Sequence, residues 1–329
     1  MKYKQTEKKK KQNTTMKSEN TNLQDQQNRF GEGDSYVVYD VLPTELAAEA
    51  YELVRTTVQW DQMLHKGGSV PRLIAVQGEQ GVGTLVDGGQ TEQPQISYVP
   101  LYRHPADEQL ACHAYSAIVA RIAAVLNADP RLTAGGRARL NHVLVQHYRD
   151  GRDLITEHAD KTLDVLPGSV IVNLSLGATR HLTLRTKDKR TATVRGITQE
   201  QRLAQRVELP HNSVFVLGLE TNRRWVHGIR PARVQCGESD GGRISLTFRA
   251  IHTYETADGR FLFGGGADNS APAVGAGSIM LPDGTKYLLQ PAIRNDEEAN
   301  DRLYKAFSTE NKSSTLTAPE IYRSGFNVI

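Results

Sequence analysis

The sequence predicts a mainly β protein, an antiparallel sandwich or barrel with flanking helices, and three observations carry that expectation. From Asn141 the hydrophobic period is two: "NHVLVQHY", "DLITEH", "SVIVNLSLG", "RHLTLRT", "HNSVFVLG" and "RISLTFRAI" are short runs rich in Val, Ile, Leu and Thr. Gly, Asp, Asn and Pro punctuate these runs, as turns between neighbouring strands require. Before Asn141 two stretches repeat instead at helical spacing, which suits helices covering a sheet.

In chain order, residues 1–29 form a polar, basic tail with "KKKK" at Lys8 to Lys11 and many Asn and Gln residues. Such a segment buries too little apolar surface to order itself. Its basic run reads as a solvated tail, with a nuclear-import or nucleic-acid tether as the alternative. The ordered part is expected from Phe30. After Pro43, Leu46, Ala50, Leu53, Val54 and Trp60 mark a first helix. A second is expected from about Asp107 to Leu126, with Leu110, Ala114, Ile118, Ile122 and Val125 on one side. Cys112 and His113 lie there as packed or half-exposed residues rather than ligands.

The strands then run from Asn141, interrupted by "TKDKRTATVRGITQEQRLAQRV" (Thr186 to Val207). Lys187, Lys189, Arg190, Arg195, Arg202 and Arg206 there face only Asp188 and Glu200. This basic insertion is either a loop near a binding face or a solvated hairpin. The main domain is expected to span 30–255. Residues 256–329 form a C-terminal extension packed on it, Gly-rich at first ("FGGGA") and then helical, with Asn295 as cap, Glu298 three residues on and Leu303 and Phe307 as an apolar pair.

Composition narrows the function classes. At 329 residues, with 38% hydrophobic and 23% charged, the chain can enclose a site. A net charge of +3 is too weak to predict nucleic-acid binding. Only Cys112 and Cys236 are present, which supports neither a disulfide framework nor a Cys-based zinc site and suits a reducing compartment. No apolar run approaches the roughly 18 to 20 residues of a membrane span. An intracellular protein, cytoplasmic or nuclear, is expected.

The chemistry begins at "EHAD". Residues i and i+2 of a strand share a face, so His158 and Asp160 can present a nitrogen and an oxygen to one ion. His-x-Asp alone is unspecific, since ten histidines give about 0.5 chance occurrences in such a chain. A second imidazole, His227 in "RRWVHGI", follows the apolar strand "SVFVLG" and can return to the pair. Two imidazoles and one carboxylate with three open positions suit non-haem Fe(II) better than tetrahedral zinc. In "RISLTFR", Arg243, Ser245, Thr247 and Arg249 alternate with Ile244, Leu246 and Phe248, so cations and hydroxyls share one face. Buried guanidiniums need partners, and a dicarboxylate supplies them; exposed strand arginines are the alternative. The two arginines lie roughly 20 Å apart along a strand and so serve different ends of a site.

These residues carry a family resemblance. "HAD", "WVHGI" and "RISLTFR", preceded by "VQHYRDG" and "SVIVNLSLGATR", resemble the AlkB-like Fe(II)- and 2-oxoglutarate-dependent dioxygenases from about Pro71 to Arg249. The resemblance implies a double-stranded β-helix, or jelly roll, with Fe(II) on His158, Asp160 and His227. It implies that Arg243 and Ser245 hold the distal carboxylate of 2-oxoglutarate, that Arg249 lies near its keto-acid end, and that Tyr148 contacts it. Where many relatives have Asn-x-Tyr, this chain has Gln146-His147-Tyr148, and His147 is left out of the metal site. The implied reaction consumes 2-oxoglutarate and O2, releases succinate and CO2, and hydroxylates a substrate C–H, with dealkylation where the product falls apart.

The substrate is argued from departures. Nucleic-acid repair relatives often carry an acidic residue two positions after the metal Asp, where this chain has Thr162. The glycine-linked stretch before the distal His reads "VLGLETNRRWVHG". No aromatic wedge for base flipping is evident beyond Trp60 and Trp225. A small molecule or natural-product intermediate is therefore the favoured substrate. An AlkB-like nucleic-acid demethylase is the alternative, supported by the basic insertion and tail. A catalytically silent jelly-roll binding protein is the third reading. Oligomeric state has no sequence signal.

Overall fold

The computed structural model describes residues 29–65, 68–86, 94–106, 110–194, 197–232, 241–270 and 277–329. The tail before Arg29, Cys236 and Arg195 lie outside the described residues. Ten strands build the centre: β1 (Ser35–Tyr39), β2 (Leu73–Gly78), β3 (His142–Tyr148), β4 (Ile155–His158), β5 (Val170–Gly177), β6 (Arg180–Thr186), β7 (Ala204–Leu209), β8 (Ser213–Gly218), β9 (Trp225–Ile229) and β10 (Arg243–Arg249). The large sheet has the order Arg29–Phe30, β1, β8, β5, β10, β3, β2, His113–Ala114; the small sheet has the order β4, β9, β6, β7. All neighbours are antiparallel except His113–Ala114, which runs parallel to β2. The two sheets face one another as a double-stranded β-helix.

The period of two decides which side of the large sheet each residue serves. Val143 and Val145 of β3, Val172 and Leu174 of β5, and Ile244, Leu246 and Phe248 of β10 point to one side. There they pack beneath α1 (Thr44–Thr57) and α2 (Ala117–Ala128) with Leu46, Ala50, Val54, Ile118, Ile122 and Leu126. Each such fully buried side chain contributes about 1.5–3 kcal/mol. The opposite face looks into the space between the sheets. Ile171, Phe215 and Leu217 meet Leu182, Leu184 and Val207 there, and the polar members of the same strands are left to line a cavity.

Three elements differ from expectation. The second helix starts at Ala117, while Asp107 lies outside the described residues: His113–Ala114 joins β2, and Gln77 Oε1 takes the Ser116 N–H at 3.0 Å, so the residues just before Ala117 are held at the sheet edge. The cap of the C-terminal helix α4 (Glu297–Lys312) is Asp296, which accepts the Ala299 N–H at 3.0 Å, while Asn295 adopts a φ of 59°. Finally, a seven-stranded third sheet joins Gly81–Val86 and Gln95–Pro100 to Thr253–Thr256, Phe261–Gly264 and three shorter strands after them. Its strands from Thr253 onwards are two to four residues long, too short to leave a usable periodicity. Two more short helices, α3 (Leu219–Arg224) between β8 and β9 and α5 (Ala318–Tyr322) after α4, complete the fold. No helix among the described residues is long and apolar enough to cross a membrane.

The basic insertion forms a hairpin, Arg190–Val194 against Ile197–Gln201, leading into β7. Its cations are mostly engaged within the chain. Arg190 pairs with Glu32 at 2.6 Å and lies 5.3 Å over the Trp225 ring, Arg202 donates to the Thr186 carbonyl, and Lys187 Nζ donates to the carbonyls of Glu310 and Ser313.

Candidate active site

β4 and β9 pair so that His158 stands directly opposite His227, with a register irregularity between Ile155 and His158. The imidazole Nε2 atoms lie 3.6 Å (His158) and 3.7 Å (His227) from Asp160 Oδ1. The three ligand atoms fall within 4.8 Å of one another, a spread one metal ion can bridge. His158 Nδ1 is 2.8 Å from the Thr156 carbonyl, which can only accept; the proton therefore sits on Nδ1 and the Nε2 lone pair is free for a metal. Burial, followed by the neighbouring His158, lowers His227 to about 3, so its imidazole is neutral.

Asp160 is buried. Burial alone would raise its carboxyl, but Arg249 and the two imidazoles hold it well below the usual range. Arg249 Nη2 donates to Asp160 Oδ2 at 2.6 Å, and its guanidinium stacks 4.1 Å from the Tyr102 ring centroid. One carboxylate oxygen is thus committed to the arginine and the other faces the imidazoles.

Beyond β4 the strand ladder stops, and four successive amides turn to side chains. The N–H groups of Ala159, Asp160, Lys161 and Thr162 donate to Asn311 Oδ1 (2.8 Å), Asn222 Oδ1 (2.9 Å), Tyr102 Oη (3.1 Å) and Glu310 Oε1 (3.1 Å). Asn222 also donates back to the Asp160 carbonyl at 2.8 Å. The altered stretch "GLETNRR" is therefore the helical turn α3, which clamps the peptide of Asp160.

At the other end of the cavity Arg243 is only 1% exposed. Its Nε donates to Ser175 Oγ at 2.8 Å and its Nη2 to Asn173 Oδ1 at 3.3 Å, while Nη1 is buried without a partner. Burial lowers Arg243 to about 10, leaving it charged at neutral pH. Among the described residues no carboxylate pairs with it. Ser245 and Thr247 both accept from Asn173 Nδ2, and Tyr148, 5.3 Å beneath the Arg243 guanidinium, donates to Gln146 Oε1 at 3.3 Å. A buried, uncompensated guanidinium with a spare N–H beside two hydroxyls fits a carboxylate. His147 points the other way, onto Trp60.

His158, Asp160, His227, Arg243, Ser245, Arg249 and Tyr148 all line one cavity of about 940 Å³. Exposed His65, Gly68 and Ser69 rim it on one side, and exposed Ser308 and Lys312 of α4 on the other. Several functional residues were not singled out in the sequence. Asn173 and Ser175 were visible as polar residues two apart inside "SVIVNLSLG", whereas Asn222, Tyr102 and Asn311 gave no local signal. His104 also lines the cavity; burial and then Arg249 lower it to about 4, so it is a neutral polar group.

The profile of the 2OG-Fe(II) oxygenase superfamily matches residues 34–249. The chain belongs to the 2OG-Fe(II) oxygenase superfamily. It is an Fe(II)- and 2-oxoglutarate-dependent dioxygenase, AlkB-like within that family, and uses Fe(II), 2-oxoglutarate and O2. DNA oxidative demethylase ALKBH2 of Homo sapiens is 29% identical over 223 residues, 68% of this chain and 70% of that protein. The Mus musculus protein of the same name is 29% identical over 222 residues, 68% of this chain and 77% of that protein. Among solved structures, OsALKBH1 superposes with a TM-score of 0.38 at 14% identity, covering 66% of this chain and 96% of that one. A 2OG-Fe(II) oxygenase family oxidoreductase from Burkholderia pseudomallei gives a TM-score of 0.34 at 14% identity, over 68% and 85% of the two chains. Membership of an enzyme family, with the His-Asp-His cluster intact, sets aside the silent binding protein.

Proposed function

We propose that this oxygenase removes alkyl groups from nucleobases of DNA or RNA by oxidation. The observation that carries the substrate is the similarity over 68% of the chain to proteins named DNA oxidative demethylases. The small-molecule substrate favoured by the sequence has no comparable support. A cavity of about 940 Å³ admits a single base turned out of its stack. Basic groups suit a flanking phosphate: exposed Lys312 lines the cavity, and Arg185, Arg202 and Arg230 share the one carboxylate of Glu157, which also lines it. Thr162 does not argue against this, because its hydroxyl and amide are both taken by Glu310.

In this reading His158, Asp160 and His227 hold Fe(II). Arg243, Ser245 and Tyr148 hold the distal carboxylate of 2-oxoglutarate, and Arg249 serves the keto-acid end while fixing Asp160. When bound, iron and co-substrate supply the oxidant that hydroxylates a C–H; a hydroxylated N-methyl group leaves as formaldehyde. The chain's own residues do the positioning. Arg249 keeps Asp160 ionised with one oxygen available, and the Thr156 carbonyl holds the His158 tautomer. Arg243 sets the co-substrate's reach, Phe215 and Leu217 keep that end dry, and neutral His104 offers a polar edge to the base. Acting on nucleic acid would place the protein inside the cell, in the nucleus where one exists.

The test is incubation of Fe(II)-loaded enzyme with N-methylated single- and double-stranded oligonucleotides. The expected result is formaldehyde and succinate in equal amounts. Succinate formation stimulated only by small metabolites would overturn the substrate.

A further inference from the structure

The segment matched by the family ends at Arg249, yet α4 reaches the metal strand and lines its cavity. We propose that Asn311 is a positioning residue for iron, and that α4 is a bracket belonging to the catalytic unit rather than an appendage. The inference rests on His158, Asp160 and His227 being the iron ligands.

Two ligands only two residues apart meet one ion if the peptide between them is held at a set twist. That peptide lies past the end of β4, where no neighbouring strand can hold it. Asn311 Oδ1 accepts the N–H of Ala159, the residue between the two ligands, at 2.8 Å. One residue earlier on α4, Glu310 takes both the amide and the hydroxyl of Thr162. The two α4 side chains therefore grip the chain on either side of Asp160.

The bracket is itself anchored at three points. Leu303 and Phe307 pack with Leu163 and Tyr322, the Tyr322 hydroxyl donates to Glu310, and Lys187 Nζ donates to the carbonyls of Glu310 in the last turn and of Ser313 just after it. Ser308 and Lys312, on the same helix, face the cavity mouth. The helix that fixes the ligand strand is thus also a wall of the substrate entrance.

The experiment is Mn(II) titration, followed by EPR, of the full-length wild type, Asn311→Leu and Asn311→Asp, with apo thermal unfolding in parallel. Asn311→Asp keeps an acceptor for the Ala159 N–H, and Asn311→Leu removes it at similar volume. The expected result is Mn(II) affinity about tenfold weaker or more in Asn311→Leu and restored to within about threefold in Asn311→Asp. Asn311→Leu binding Mn(II) as tightly as wild type overturns the bracket. A wild type that binds no Mn(II) overturns the ligand assignment instead. Should Asn311→Leu fail to fold, amide exchange in the wild type decides: the Ala159 and Thr162 amides are expected to exchange as slowly as those of β10, and fast exchange of both overturns the proposal.

Discussion

Arg249 and Asp160 form a buried ion pair, 2.6 Å from Nη2 to Oδ2, in which the cation grips one oxygen of the carboxylate whose other oxygen faces the two imidazoles. Arg249→Met leaves a buried carboxylate uncompensated and is expected to cost about 3–5 kcal/mol of apo stability in urea unfolding. Mn(II) restores the missing positive charge, so added metal is expected to stabilise the variant more than the wild type. Equal apo stabilities of variant and wild type would contradict the pairing.

Arg243 predicts the opposite sign. It is buried with no carboxylate partner among the described residues, so its charge costs stability until a ligand arrives. Arg243→Met is expected to leave the apo protein as stable as wild type or more stable. The same change should raise the KM for 2-oxoglutarate about 10- to 100-fold while Mn(II) affinity stays unchanged. Loss of metal binding, or an unchanged KM, would remove Arg243 from the co-substrate site.

At the rim, Lys312→Glu is expected to weaken binding of a methylated oligonucleotide and to lower its log–log salt slope by about one. Lys305→Glu, on an exposed part of the same helix, serves as the charge-matched control and is expected to bind as wild type does. Identical salt slopes for the two variants would take Lys312 out of the phosphate path.

Lys187 gives a pH signature. Burial lowers it to about 8, with nearby Glu310 opposing. Between about pH 8 and the unfolded value of about 10.4, the unfolded chain binds more protons than the folded one, so stability from this group rises with pH across that window. Below about pH 8 the Lys187 amine is charged in the folded and unfolded states alike and the contribution is flat. Lys187→Met should lose the rise, measured as the difference in denaturant midpoint between pH 8 and 10; an identical pH profile would refute the assignment.

How far the sequence could be read follows from where each contact is encoded. Strand β10 was legible in full, because alternation alone sends Arg243, Ser245, Thr247 and Arg249 to one face and Ile244, Leu246 and Phe248 to the other. His158 and Asp160 were legible as a local pair, and His227 by its place after an apolar strand. The stretch "VLGLETNRRWVHG" is legible as a departure from a glycine-linked pattern, but nothing local says that a helical turn there will aim Asn222 at residue 160. Asn311 was invisible for the same reason: a helix interior residue gains its role from tertiary packing. The basic insertion was legible as charge but not as contact, and Lys187 proves to donate to the carbonyls at the C-terminal end of α4.

The four consecutive amides of residues 159–162, claimed by Asn311, Asn222, Tyr102 and Glu310, impose an order of assembly. A nascent chain that has just released Arg249 already holds every proposed ligand to iron and 2-oxoglutarate, yet two of those amides still lack their acceptors. On the roles proposed for Asn311 and Glu310, the pocket would take its final shape only once α4 has docked. A premature stop between residues 250 and 310 would leave every proposed ligand in the polypeptide and the proposed iron site without its final shape.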